Sequence, residues 1–156
     1  MRKQIKGALA ALLCLLALAA CGNSGGQDVY ETADVQAMAD AGAFSETLEE
    51  LDGDTAFQLY RLSGAGLSRE DLTGCAVLRS SGATCEEGAV LVFGTEDQAK
   101  AAVTVLEDYI QGQITENENY RPAEILKLES ALVDQRGNTV LMVVANDLEA
   151  AQSAVG

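Results

Sequence analysis

The chain has 156 residues and a formal net charge of −14, with 48% apolar residues, 4% aromatics and no histidine. That length and apolar content make one globular domain rather than a disordered chain. The missing histidine excludes Ser-His-Asp and Cys-His catalysis and removes the commonest zinc ligand, and the acidic excess repels nucleic acid and anionic headgroups.

Arg2, Lys3 and Lys6 precede an uncharged run of fourteen residues, Gly7 to Ala20. A bilayer span takes about 20 apolar residues, so the run is too short to cross but suits the h-region of a secretory signal. Leu18-Ala19-Ala20-Cys21 closes it and looks like the lipobox of a bacterial lipoprotein. Residues 1–20 are therefore expected to be removed as a signal peptide, Cys14 with them. The sulfur of Cys21 is expected to take a diacylglyceryl group and hold the protein on the outer face of the cell membrane. Two or three acyl chains hold firmly where a single one binds only marginally. Three of the ten bases leave with the signal, so seven face all 24 acids in the mature chain, a formal −17.

Residues 21–32 read as the lipidated cysteine and a tether, because Gly22 to Asp28 has no apolar residue and three glycines. A coil of that length reaches roughly 15 Å. Residues 33–156 read as a single domain. Asp34 can cap a helix to Ala41 that buries Val35, Met38 and Ala39 and stops at Gly42. Phe44, Leu48 and Leu51 recur at helical spacing and suggest a second helix. Asp54 can cap a third, carrying Phe57, Leu59, Tyr60 and Leu62, and Ser68 to Asp71 reads as one more helical turn. Asp52-Gly53-Asp54 lacks the alternating acids and final glutamate of a calcium loop. Gly64-Ala65-Gly66 has Arg69 where a dinucleotide fingerprint needs its third glycine. Both are read as loops.

Cys75 to Arg79 predicts a strand, Ser80 to Thr84 a turn, and the apolar run Ala89 to Phe93 a central strand. Cys75 and Cys85 are the two thiols left beside the anchor, and an exported compartment permits a disulfide. A reversal near Ser80 brings them together; one nearer Gly82 to Thr84 displaces Cys85 and forbids the bond. The sequence leaves both open. Metal binding by two isolated cysteines is not expected. Thr95 and Gln98 form a capping box that opens a long helix, with Ala99, Ala102, Val103, Leu106, Tyr109, Ile110 and Ile114 on one stripe, fading near Asn117. Pro122 suits the first position of another short turn. A strand from Ala131 to Arg136 turns at Gly137-Asn138 into the apolar strand Thr139 to Ala145, and Asp147 caps a closing helix.

The order of these features resembles the bacterial lipoprotein family DUF4358, over about Asp34 to Val144. The resemblance rests on Leu51 to Tyr60, on Ser81 to Glu87 with its strand, and on Asn119-Tyr120-Arg121-Pro122. Leu128-Glu129-Ser130-Ala131 and Arg136-Gly137-Asn138 complete it. It implies a Gram-positive envelope lipoprotein and brings no activity, cofactor or catalytic residue. Cys75 and Cys85 depart from the family's pattern.

The elements predict an α+β fold: a four-stranded antiparallel sheet in the order 1-2-4-3, the long helix on one face, and short N-terminal helices at an end or on the second face. The expected function is that of a monomeric, non-enzymatic, membrane-anchored module, without cofactor or metal, that binds an envelope protein or wall component. Acids outnumber bases nine to none between Asp28 and Leu59, which favours a basic partner. A small-ligand-binding lipoprotein is the alternative. A hydrolase ranks behind it, since sequence neighbours such as Glu86 with Glu87, or Glu107 with Asp108, do not converge on one substrate.

Overall fold

The computed structural model describes residues 28–155. The expected signal peptide, Cys21 and most of the expected tether lie outside these residues. The element order is α1 (Ala33–Asp40), β1 (Glu49–Glu50), α2 (Gly53–Leu59), β2 (Leu72–Arg79), β3 (Glu87–Phe93), α3 (Glu96–Asn117), α4 (Ile125–Glu129), β4 (Leu132–Arg136), β5 (Thr139–Val144) and α5 (Leu148–Ala154). Short 3-10 turns at Leu62–Ala65, Arg69–Asp71 and Pro122–Glu124 join them.

The sheet is antiparallel and runs β1-β2-β3-β5-β4. The expected order of the four main strands holds, with the two apolar strands β3 and β5 side by side in the interior. The strand count is corrected from four to five. Glu49 and Glu50 pair with Arg79 and Leu78 at the edge. Two consecutive exposed acids carry no alternation that could announce a strand; the free edge of β2 makes it one.

Both faces of the sheet are covered. Ala89, Leu91, Phe93, Val140 and Met142 face α3, where Ala99, Ala102, Leu106 and Ile110 meet them, together with Ala56 of α2 and Tyr60. Val90, Leu141 and Val143 face the other way, onto Val35 and Met38 of α1 and Ala151 of α5. Burial on both sides explains why β3 and β5 are continuous apolar runs instead of alternating ones.

Caps set the helix boundaries. Thr95 Oγ1 accepts from Gln98 N while Gln98 Oε1 accepts from Thr95 N, as the capping box requires. Asp147 Oδ1 accepts from Ala150 N and opens α5. The expected cap Asp54 is corrected to Asp52, whose Oδ1 accepts from Asp54 N and Thr55 N, both at 2.9 Å. Asp34 lies within the first turn of α1 rather than ahead of it. The β4–β5 turn is Gly137-Asn138, with Gly137 at φ 52°.

Two expectations fail for tertiary reasons. Residues 44–48 form no helix. Ser45 N donates to Glu86, and the Glu46 carboxylate accepts from Ser80 and Thr84, so this segment is held in bends against the β2–β3 loop. Phe44 packs over Gly88, where a Cβ would come within 2.9 Å of its ring. Tyr30, assigned to the tether, is buried instead. Its N–H donates to Thr139 Oγ1 at 2.9 Å, its hydroxyl donates to Asp134, and Arg136 stacks on its ring.

Candidate functional site

The register of the β2–β3 hairpin ends at Arg79 opposite Glu87, which leaves Ser80 to Glu86 as a seven-residue connection. Little of this loop is free. Ser80 Oγ and Thr84 Oγ1 donate to Glu46 Oε1 at 2.6 and 2.7 Å. These bonds hold the Glu46 carboxyl below its ordinary range. Ser80 Oγ in turn accepts from Thr84 N at 3.0 Å. Arg121, from the turn before α4, donates through Nη1 to the carbonyls of Gly82 and Thr84 at 2.8 and 3.0 Å. Cys85 N donates to Glu124 Oε2 at 2.9 Å. Two stretches that carry the family resemblance, 81–87 and 119–122, therefore meet in space.

Glu86 ends the loop and Glu87 opens β3, and both are buried. Successive residues of a strand point to opposite faces, and these two carboxylates have different partners. Glu86 accepts from Ser45 N, Ser45 Oγ and Lys127 Nζ, at 2.7, 2.6 and 2.6 Å. Glu87 accepts from Tyr60 Oη at 2.6 Å, Tyr109 Oη at 2.8 Å and Arg79 Nε at 3.3 Å. The two tyrosine rings meet edge to face, with centroids 5.2 Å apart. Burial and the adjacent carboxylate raise both phenols above their ordinary range. As expected, Glu86 and Glu87 do not converge on one substrate. Glu107 and Asp108 point outward on α3.

Burial pushes the Glu87 carboxyl above its ordinary value of 4.5, against the pull of Tyr60, Tyr109 and Arg79. The folded chain therefore holds this proton more tightly than the unfolded one. The resulting stability is fully present below the unfolded value and is lost as pH rises through the folded one. Glu87→Gln fixes the neutral form. Denaturant melts of both proteins should show the difference moving in favour of the glutamine variant as pH rises above about 4.5. A difference constant with pH, or moving the other way, would remove the raised carboxyl from the argument.

Between the loop, the β1 edge and the C-terminal half of α3 lies a cavity of about 340 Å³, a size at the lower end of small-ligand sites. Its wall is polar and includes Glu49, Arg79, Ser81, Cys85, Gln113 and Arg121. A second hollow of about 420 Å³ lies between α3 and the segment after α2, lined in part by Tyr60, Arg61, Tyr109 and Gln113. The Glu87–Tyr60–Tyr109 cluster stands between the two.

Cys75 and Cys85 are free thiols. Cys75 lies opposite Leu91, six residues from Cys85 along the chain, or roughly 20 Å of extended strand. The chain reverses around Ala83, the geometry that forbids the bond. Burial pushes the Cys85 thiol up despite the nearby Arg121 guanidinium, so it is the protonated, weakly nucleophilic form at neutral pH. Among the described residues no His, Cys, Asp or Glu group is placed to hold a metal ion, and no helix is long and apolar enough to cross a membrane.

Sequence reasoning placed Tyr60 and Tyr109 on apolar helix faces and weighed Glu87 only as a non-converging pair with Glu86; it did not bring these residues or Arg121 together at a site. The available signal was Glu86-Glu87 set directly against an apolar strand, where neither carboxylate can stay dry without donors.

A family model described as a domain of unknown function, DUF4358, matches residues 44–145, which include the whole cavity wall and the Glu86 and Glu87 clusters. No curated protein and no solved structure matches the chain.

Proposed function

The chain belongs to the DUF4358 family, and from that premise we propose that it is a non-enzymatic binding module of a Gram-positive cell envelope. In this reading acylated Cys21 anchors it to the outer face of the cell membrane, and it acts as a monomer. The observation that carries the reading is where the chain enters the fold. Tyr30 is fixed at Thr139, at the end of the sheet where β5 begins. Thr139 pairs with Val92, whereas Glu87, beside the cavity, pairs with Val144 at the opposite end. The two ends are separated by five residues of strand, about 17 Å.

Six residues lie between Cys21 and Asp28, and the seven Cα–Cα steps can span no more than about 25 Å. An anchor at Cys21 attaches the chain at the Tyr30 end, keeps the domain within reach of the lipid, and leaves the 80–86 loop and its cavity, at the other end of the sheet, free to meet the wall or a partner. Buried carboxylates committed to internal donors support a binding role over hydrolysis, since neither Glu86 nor Glu87 has an oxygen left for acid–base work. The acidic surface of the mature chain favours a basic protein partner.

Cys21→Ser tests the anchor, because the thioether needs that sulfur. The variant should lose metabolic fatty-acid labelling and move from the membrane to the soluble fraction. A variant that is still labelled and membrane-bound would sink the lipoprotein reading.

A further inference from the structure

We propose that the cavity between the 80–86 loop, β1 and α3 seats a small zwitterion, an amino acid or short peptide, with its carboxylate on Arg121 and its ammonium group on Glu49. This deepens the binding-module reading and rests on it, but it does not depend on the anchor.

Arg121 carries the first half. A guanidinium offers five N–H donors in a planar fork that fits a carboxylate with two parallel bonds. The two loop carbonyls engage only Nη1. Nε is buried and has no hydrogen-bond partner among the described residues, which makes it the one buried side-chain donor left unsatisfied there. The other arginine in the wall, Arg79, is neutralised by Glu87, whereas Arg121 makes no ion pair with any carboxylate among the described residues. Nε itself has no accessible surface, so a ligand carboxylate would pair with the guanidinium through the part of Arg121 that forms the cavity wall.

A bare anion is disfavoured, because the mature chain is strongly acidic and Glu49, Glu86 and Glu87 all border the cavity. A zwitterion has no net charge and meets no such repulsion. Glu86 and Glu87 are already occupied by internal donors. Glu49 is exposed on the edge strand and makes no ion pair among the described residues, so it is the wall carboxylate available to an ammonium group. The volume of about 340 Å³ holds on the order of ten non-hydrogen atoms at liquid density, the size of an amino acid or dipeptide. The Gln113 amide and the Ser81 hydroxyl supply further polar contacts for a peptide unit.

The test uses the full-length chain in detergent micelles and titrates alanyl-alanine, its C-terminal amide, its N-acetyl derivative, acetate and inorganic phosphate by calorimetry. In parallel, mass spectrometry follows alkylation of Cys85, which lies in the wall, against Cys75, which does not. The dipeptide should bind and slow alkylation of Cys85 alone. Amidation and acetylation should each weaken binding by at least about tenfold. Glu49→Gln should erase the penalty for acetylation, and Arg121→Gln the penalty for amidation. Arg121 also holds the loop; if its variant does not fold, Glu49→Gln and the ligand derivatives decide the matter. No saturable binding up to roughly 10 mM would overturn the proposal. So would an amide that binds as well as the acid, or acetate or phosphate binding as tightly as the dipeptide. Cys21→Ser leaves each of these outcomes unchanged, so failure of the anchor and failure of the site are separable.

Discussion

Glu87→Ala should cost about 3–5 kcal/mol of unfolding free energy near neutral pH, because it removes one partner from a buried charged cluster. Tyr60 is fully buried, and its hydroxyl bonds to Glu87. Without the carboxylate that donor is left unpaired at a buried site, at a cost of about 1–3 kcal/mol by itself. Arg79 loses its ion partner as well, though it is half-exposed and water recovers part of that loss. The cluster should be non-additive. Tyr60→Phe in the wild type breaks a hydrogen bond, whereas in the Glu87→Ala background it removes an orphaned hydroxyl and should be nearly neutral or stabilising. Denaturant melts of the four proteins in the cycle give the coupling directly. Equal costs for Tyr60→Phe in both backgrounds would mean that the pair does not act as a unit. A Glu87→Ala cost below about 1 kcal/mol would mean that the cluster does not support the fold.

Leu106→Ala should cost about 2–5 kcal/mol. Leu106 is completely buried at the middle of α3, among residues from both interior strands. Truncation leaves a void that neither the helix nor a sheet held by β3 and β5 can collapse to fill. Glu107→Ala, one residue on and exposed, should stay within about ±0.5 kcal/mol. The contrast tests the rotation of α3 about its axis as well as the size of the core. Similar losses at both positions would mean that the stripe has been assigned to the wrong face.

Long-period features were legible because each is written within a short stretch of chain. Five turns of apolar spacing behind a Thr95–Gln98 box leave one reading for α3, and the structure has it within a residue or two at either end. The apolar runs of β3 and β5 declare burial on both sides, which places them inside the sheet and yields the strand order. Gly137-Asn138 fixes the last hairpin, since a two-residue turn needs a positive φ that glycine takes at no steric cost.

The misread segments are those whose conformation is set by partners distant in sequence. Phe44, Leu48 and Leu51 have helical spacing, but donors and acceptors 41 and 38 residues away hold Ser45 and Glu46 out of a helix. Local propensity is worth tenths of a kcal/mol per residue, and buried charge-assisted hydrogen bonds outweigh it. The polar run Gly22 to Asp28 gave no reason to end the tether at Tyr30, because the reason is Thr139 and Asp134. The candidate site is of the same kind. Arg79, Glu87 and Tyr109 come from β2, β3 and α3, Tyr60 follows α2, and Arg121 comes from the turn before α4. Each reads alone as an ordinary strand, helix or loop residue. Periodicity reports which face of an element is apolar; it carries no information about which carboxylate a distant hydroxyl or guanidinium will meet. The sequence by itself determined the long helix, the four main strands and their order in the sheet, and it supplied the segment read as an anchor. Only the tertiary structure decided that the 80–86 loop is pinned from three sides, that both thiols stay free, and that Arg121 is left with a buried donor to satisfy. Those facts depend on contacts closed across roughly forty residues of chain, and such contacts form only once the two faces of the sheet are packed.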